Sequence, residues 1–185
     1  MILEYKGIPV FYTDSGTGNS IVFLHGFLEN SRMWNPFIPK LSQTNRVICI
    51  DLLGQGKTGC LGYIHTMEQM ADVVKALLNS LNISKSIFIG HSMGGYVALA
   101  FAEKFPFAVA GLCLMNSTAL ADTVEKQLNR DRAIAAVKQN HKTFIRMAVA
   151  NLFGPKNKAS FLDKINLIIG EALETPVQGI VAALE

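Results

Sequence analysis

The sequence predicts an α/β protein, with a mostly parallel sheet that carries helices on both faces. Continuous apolar runs at 20–24, 46–50 and 109–115 are typical of strands that are buried on both sides. Residues 67–81 place apolar side chains at helical spacing along one face. A fourth run, 86–91, leads directly into another helical pattern. Strands that alternate with helices along the chain indicate this fold class.

The other elements follow from local patterns. Residues 2–5 and 8–13 alternate in polarity around Gly7 and predict a short β-hairpin or meander, and residues 14–19 form a cluster of turn-forming residues. We expect a short helix from Trp34 to about Leu41. Thr66 is a candidate N-cap for the long amphipathic helix that follows it. From about residue 122 onwards the periodicity is only helical, with breaks at Asn140-His141, Gly154-Pro155 and Thr175-Pro176.

Composition excludes several classes of protein. Half of the 185 residues are hydrophobic and 17% are charged, so a sizeable core is available and disorder is not expected. A net charge of +3 without a basic cluster gives no support to nucleic-acid or membrane partners. The N-terminus does not resemble a signal peptide, and no apolar run is long enough to span a membrane. Cys49, Cys60 and Cys113 are expected to be reduced core or loop thiols of a cytoplasmic protein, and no Cys/His spacing predicts a metal site.

The segment Gly90-His91-Ser92-Met93-Gly94 carries the clearest functional signal. It places G-x-S-x-G between a strand and a helix, the pattern of a nucleophile elbow. The helix that starts behind Ser92 would direct free N–H groups towards an oxyanion formed there. A chance glycine-rich turn would also give this pattern, but the strand before it and the helix after it favour the elbow.

Two other motifs join the elbow. His25-Gly26-Phe27 follows one predicted strand, and Asp51-Leu52-Leu53-Gly54-Gln55-Gly56 follows the next. Together with the elbow, these motifs resemble those of the α/β-hydrolase superfamily over nearly the whole chain. Many members have histidine where Gln55 stands, and we expect that difference to affect loop packing only. The resemblance implies that residues 1–118 form a partial core with strands one to six, and that residues 119–185 form a helical cap.

The resemblance also assigns roles. Ser92 would attack a carbonyl carbon, and the backbone N–H groups of Phe27 and Met93 would hold the resulting oxyanion. Gly26, Phe27 and Met93 would contact the substrate. His25 and His91 are expected to be structural. The predicted cap offers apolar side chains for the substrate pocket, although helix packing would give the same pattern: Phe144, Met147, Leu152, Phe153 and Phe161.

No triad acid and no triad histidine are found. In the superfamily they follow the seventh and eighth strands, and the sequence stops at Glu185 before either strand. His65 and His141 do not match the position of the base. Asn116 stands where some relatives place the acid, and Asp122 is expected to be a helix N-cap. We therefore expect a chain that is truncated at its C-terminus and inactive alone, and that self-associates through the exposed strand 109–115 or by exchange of elements.

The sequence is compatible with two functions. The first is a serine hydrolase that cleaves a small carboxylic ester, thioester or lactone through an acyl-Ser92 intermediate, without a cofactor. The second is a non-catalytic ligand-binding or interaction module on the same fold. Nucleotide binding is disfavoured: Gly54-Gln55-Gly56-Lys57-Thr58 ends like a P-loop, but it lacks the first glycine and no helix is predicted to start there.

Overall fold

One six-stranded sheet organises the chain, and the computed structural model describes all 185 residues. The strands are β1 (Ile2–Tyr5), β2 (Ile8–Ser15), β3 (Asn19–Leu24), β4 (Asn45–Ile50), β5 (Ser86–His91) and β6 (Val109–Met115). Their order across the sheet is β1-β2-β4-β3-β5-β6. The β4-β3-β5-β6 part is parallel, and β2 pairs antiparallel with both β1 and β4. The predicted fold class is confirmed.

Six α-helices connect and cover the strands. They are α1 (Ile38–Leu41), α2 (Met67–Ser80), α3 (Met93–Lys104), α4 (Val124–Asn151), α5 (Leu162–Ala172) and α6 (Val177–Leu184). The predicted N-cap of α2 is confirmed: the Thr66 hydroxyl accepts the Gln69 N–H, and the Gln69 side chain accepts the Thr66 N–H. All three predicted breaks are confirmed, since Asn140 kinks α4 and the other two separate α4 from α5 and α5 from α6.

Alternate side chains of the central strands enter two separate apolar clusters. One set packs with buried residues of α2 and α3, and it includes Val22, Leu24, Ile48, Ile50 and Phe88. The other set packs with Trp34 on the opposite face, and it consists of Ile21, Phe23, Val47 and Cys49. This period of two, apolar on both faces, explains why these strands are continuous hydrophobic runs in the sequence.

A third apolar cluster joins the C-terminal helices. Its members lie on α4, α5 and α6, apart from Leu28, which follows β3. The last helix is also attached to the sheet-side loops. The backbone of Gly179 lies against that of Gly54, and the His65 N–H donates to the Ala182 carbonyl at 2.7 Å. A side chain at Gly179 would overlap the Gly54 carbonyl, so this close approach requires glycine.

The prediction from the apolar run that strand 109–115 is buried on both sides is wrong, whereas the exposed edge that the resemblance implies is present. No residue of β6 is fully buried, Leu112 is 40% exposed, and Cys113 is exposed as well. The reason is the position of β6 at the edge of the sheet, where it pairs with β5 alone. An apolar run therefore predicted the strand correctly but not its surroundings.

The other two cysteines lie where they were expected. Cys49 is buried as a core thiol, and Cys60 is half-buried as a loop thiol.

Three smaller predictions need correction. The helix expected from Trp34 to Leu41 is two short pieces, a 3-10 turn at Ser31–Trp34 and α1. Pro36, which has no N–H to donate, lies between them. Strands β2 and β3 extend into the predicted turn, so that only residues 16–18 connect them. The N-cap of α4 is Thr123 and not Asp122.

No single helix is long and apolar enough to cross a membrane. By length and composition alone, α5 and α6 taken together would be long and apolar enough to cross a membrane, but the two helices are bent by 96° relative to each other.

Candidate active site

Ser92 lies at the sharp bend between β5 and α3. Its backbone has φ 49° and ψ −116°, a conformation that costs an L-residue about 1–3 kcal/mol. The bend is held by hydrogen bonds: the Ser92 N–H donates to the Met115 carbonyl at 3.1 Å, and the Ser92 carbonyl accepts from the Ser117 hydroxyl and the Gly95 N–H, each at 2.9 Å. Ser92 itself is half-buried and lines a cavity. The elbow geometry predicted from G-x-S-x-G is therefore present.

Two glycines permit this bend. A Cβ atom on Gly90 would lie 2.6 Å from the Cα atom of Gly95. A Cβ atom on Gly94 would overlap the Leu24 carbonyl and lie 2.6 Å from the His25 carbonyl oxygen. In both cases the obstructing atoms are backbone, which cannot rotate away. The two outer glycines of the motif are thus required by the close contact of α3 with β5 and with the end of β3.

The loop after β3 leaves one backbone amide free. The Gly26 N–H donates to the Glu29 carboxylate at 2.6 Å, the Leu28 N–H to the Gln55 side chain at 3.2 Å, and the Glu29 N–H to the Gly26 carbonyl at 3.2 Å. The Phe27 N–H has no acceptor within the chain. The N–H of Met93, the first residue of α3, has none either.

Ser92, Phe27 and Met93 all line one cavity of about 540 Å³. Of the residues predicted to contact substrate, Gly26 does not line this cavity, and its N–H is already occupied by Glu29. The remaining walls come from the loop before α2 and the start of that helix, from Tyr96 of α3, from the segment before α4 and Arg130 of α4, and from the end of α6. Their apolar side chains include Ile64, Leu120, Ala183 and Leu184.

The predicted apolar pocket residues of the C-terminal region do not line the Ser92 cavity, and that expectation is wrong. Phe144 and Met147 line a separate hollow of about 290 Å³ along α4. Phe153 and Phe161 pack against each other with ring centroids 6.2 Å apart, and Leu152 is 72% exposed. The helical pattern identified apolar faces, but those faces pack among the helices or remain open to solvent.

His25 is a structural residue, as predicted. It is fully buried, its Nε2 accepts the Leu52 N–H at 2.9 Å, and its Nδ1 lies 2.8 Å from the Gly26 carbonyl. Since Nε2 accepts, the proton is on Nδ1 and is donated to that carbonyl. Burial lowers the pKa of His25, because the charged imidazolium would lose its hydration.

The other histidines do not form a triad with Ser92. The His65 Nε2 accepts the Leu61 N–H at 3.0 Å, and burial lowers the pKa of His65, although this residue lines the cavity. His141 lies within α4, next to the kink. The His91 Nδ1 contacts the Glu29 carboxylate at 2.9 Å. No histidine has a hydrogen bond to the Ser92 hydroxyl.

The two acid positions considered in the sequence do not supply a triad acid either. Asn116 has φ 48° and directly follows β6. Asp122 lines the cavity, but its carboxylate is paired with Arg130 at 2.7 Å and with Lys126 at 4.0 Å. No group of three or more His, Cys, Asp or Glu side chains is placed to hold a metal ion.

The loop that ends like a P-loop has a different role. The Thr58 hydroxyl donates to the Asp51 carbonyl at 2.7 Å, and the Lys57 N–H donates to the Asp51 carboxylate at 2.8 Å. No helix begins there. Gln55 is buried, and its side chain bonds the Leu28 N–H and the Gly179 carbonyl, so it acts in loop packing as predicted.

Comparison with known proteins identifies the family. The profile described as alpha/beta hydrolase fold matches residues 19–153. The chain belongs to the α/β hydrolase family. Its fold superposes on a thermophilic esterase from Thermogutta terrifontis with a TM-score of 0.89 at 33% identity, covering 99% of this α/β hydrolase and 68% of the esterase chain. The enol-lactonase of Burkholderia xenovorans, at 22% identity and a TM-score of 0.88, shares the fold.

Curated relatives are similar over part of the α/β hydrolase chain. The pimeloyl-[acyl-carrier protein] methyl ester esterase of Sodalis glossinidius is 34% identical over 112 residues, which are 60% of this chain and 42% of that enzyme. A Mycobacterium phage D29 protein with the provisional name non-heme haloperoxidase is 35% identical over 119 residues, 64% of this chain and 43% of its own length. The matched part therefore spans less than half the length of these two relatives.

Glu29 was missed by the sequence reasoning. Its carboxylate connects the loop after β3 to His91, 62 residues further along the chain. A single acidic residue in a loop looks like an ordinary surface charge. Its position two residues after the His25-Gly26-Phe27 motif was the available signal.

Proposed function

We propose that the whole protein is a serine hydrolase that cleaves a small carboxylic ester, thioester or lactone through an acyl-Ser92 intermediate. The observation that supports this most strongly is the shared cavity, in which Ser92 sits at a strained bend beside two residues whose backbone N–H groups are free, Phe27 and Met93. The esterase names of two relatives at 33% and 34% identity agree with this chemistry.

In the proposed first step, the Ser92 Oγ forms a bond to the carbonyl carbon and gives up its proton to a base. The carbonyl oxygen becomes an oxyanion that accepts the Phe27 and Met93 N–H groups. One such donor is worth about 10²–10³ in rate. The tetrahedral intermediate then expels the alcohol or thiol, which takes the proton from the base. Water repeats the sequence on the acyl-serine, which releases the acid and restores the hydroxyl.

The cavity suggests the size and polarity of the substrate. Its volume of about 540 Å³ is suited to a small molecule, and Ile64, Leu120 and Leu184 offer apolar contacts. The walls that come from residues 119–185 support the proposal that this segment is a cap over the core formed by residues 1–118. The three free thiols fit the proposal that the protein works in the cytoplasm.

We further propose that the 185-residue chain alone has little or no turnover. A serine hydroxyl is a weak nucleophile until a base removes its proton, and no histidine of the chain bonds Ser92. The unpaired edge of β6, with its half-exposed apolar residues, supports the proposal that the chain self-associates through Val109–Met115. A monodisperse monomer in light scattering at micromolar concentration would refute the self-association.

The test of the function compares wild type with Ser92→Ala, in the 185-residue chain and in the whole protein. We expect hydrolysis of p-nitrophenyl acetate by the whole protein to fall by at least about 10³-fold in the variant, and hydrolysis by the 185-residue chain not to change. A fluorophosphonate, which accumulates even at low reactivity, should label position 92 slowly in the chain and not at all in the variant. Equal turnover by the whole protein and its Ser92→Ala variant would reject the proposal and favour a binding module.

A further inference from the structure

The Glu29 carboxylate makes two short contacts with one oxygen atom. Oε2 accepts the Gly26 N–H at 2.6 Å, and it lies 2.9 Å from the His91 Nδ1. A carboxylate only accepts hydrogen bonds, so the imidazole donates from Nδ1. This oxygen therefore connects two segments that are far apart in sequence: the loop after β3 and the last residue of β5, which precedes Ser92.

The space around Gly26 is shaped by this pair of side chains. A Cβ atom on Gly26 would lie 2.6 Å from the Glu29 Oε2 and 2.9 Å from the His91 Nδ1. Both polar groups thus pack directly against the backbone of the loop. Only a residue without a side chain allows the carboxylate to reach the Gly26 N–H and the imidazole together.

The contact of Glu29 with Gly26 affects the next backbone amide in the chain, that of Phe27. The peptide N–H that follows Gly26 is that of Phe27, which has no acceptor of its own and whose direction depends on how the loop is held. At Leu28 the backbone has φ 62°, a left-handed conformation that a leucine adopts only when its surroundings enforce it. The loop therefore needs fixed contacts on both sides of Phe27, and Glu29 supplies the contact on the N-terminal side.

An ordinary surface ion pair would contribute little to structure. The Glu29 and His91 side chains are only 19% and 21% exposed, and the acceptor also satisfies a backbone donor. Hydrogen bonds to an ionised acceptor are about twice as strong as those between neutral groups. The pair therefore has the burial and the geometry to hold the loop in place.

We propose that Glu29 is a positioning residue, which fixes the Phe27 N–H relative to Ser92 by bonding Gly26 and His91 at the same time. The proposal rests on the proposed function, since the Phe27 amide is positioned for an oxyanion. Glu29 itself does not line the cavity and does not touch the substrate in this role.

The test measures the rate of Ser92 labelling by a fluorophosphonate in Glu29→Ala, Glu29→Gln and the control Glu103→Ala. Glu103 is an exposed carboxylate on α3. A misplacement of about 1 Å can cost about 10²-fold, so we expect a loss of that order in Glu29→Ala and no change in the control. Glu29→Gln keeps an acceptor oxygen and should recover most of the rate. Labelling is measured at a temperature where thermal unfolding curves show every variant fully folded.

A purely structural role would lower the unfolding temperature but leave the labelling rate of the folded protein unchanged, and that result would overturn the proposal. Adding His91→Ala to Glu29→Ala should cost little further rate, because both act through one contact. Additive losses would also count against the shared contact.

A second measurement separates this proposal from the proposed function. In a ¹H–¹⁵N NMR spectrum, the Phe27 amide signal should shift or broaden in Glu29→Ala and stay near its wild-type position in Glu29→Gln. If Ser92 of the wild type is not labelled, the proposed hydrolase function is rejected. The NMR spectrum still tests whether Glu29 positions the Phe27 amide. An unchanged Phe27 signal in Glu29→Ala would reject it.

Discussion

Gly94→Ala should distort the elbow. The added methyl group would overlap the Leu24 carbonyl oxygen and lie 2.5 Å from the Leu24 carbonyl carbon and 2.6 Å from the His25 carbonyl oxygen. Real Cβ contacts are longer than 3.0 Å, so the start of α3 must move away from β3. Overpacking of this kind costs about 1–3 kcal/mol. For a chain of this length each kcal/mol lowers the melting temperature by about 2–4 °C, which predicts a loss of about 2–12 °C.

The same movement should reduce the reactivity of Ser92. Gly94 is two residues from Ser92 and directly follows Met93, so a shift of α3 displaces both the hydroxyl and the free N–H. We expect fluorophosphonate labelling of the folded variant to slow by about 10²-fold. The assays are thermal unfolding by circular dichroism and the time course of labelling.

Gly170→Ala is the matched control. Gly170 lies within α5, and a Cβ atom there would meet nothing within 4 Å. Replacing an unstrained helical glycine by alanine should stabilise the protein by about 0.5–1 kcal/mol and leave labelling unchanged. If Gly94→Ala melts and reacts like Gly170→Ala, the assignment of Gly94 to a close helix–strand contact is refuted.

Further predictions concern the core, the thiols and pH. Phe88→Ala should lower the free energy of unfolding by about 3–5 kcal/mol in a urea titration, because Phe88 is fully buried and packs against Phe101 with ring centroids 4.4 Å apart. A loss under about 1 kcal/mol would contradict this. Iodoacetamide at about pH 8 should modify the exposed Cys113 first and Cys49 only after unfolding, since burial raises the pKa of Cys49 to about 11. Mass spectrometry locates the label, and early modification of Cys49 would contradict its burial. The free energy of unfolding should fall as the pH drops below about 6.5, because burial lowers the pKa of His25 in the folded state and the unfolded chain then binds the proton more readily. Urea unfolding midpoints at about pH 7.5 and about pH 5.5 test this, and equal midpoints would be inconsistent with it.

The sequence predicted those parts of the fold that depend on nearby residues. The capping box at Thr66 and the positions of β3 and β4 are properties of short segments, which explains why pattern reasoning found them. The elbow at Ser92 was predictable for the same reason, since its strand, bend and helix are consecutive.

Features that depend on distant contacts could not be predicted in this way. The apolar run of β6 predicted a strand that is buried on both sides, because such a run does not encode its place at the end of the strand order; the exposed edge was expected only from the resemblance. Phe144 lies on an apolar helix face, but the sequence does not say which neighbour that face meets. The bond between Glu29 and His91 joins residues 62 positions apart, and only the assembled sheet brings them together.

The attachment of α6 determines which wall of the cavity is rigid. Gln55 and His65 donate to the carbonyls of Gly179 and Ala182, so the wall that contains Leu184 is bonded to loops of the sheet. Residues of α4, by contrast, join the rest of the protein mainly through apolar contacts. Widening of the cavity should therefore occur on the side of α4, which contributes Arg130 to the lining. Substitutions in α4 would then alter how quickly ligands enter and leave, whereas substitutions in α6 would alter which ligands fit.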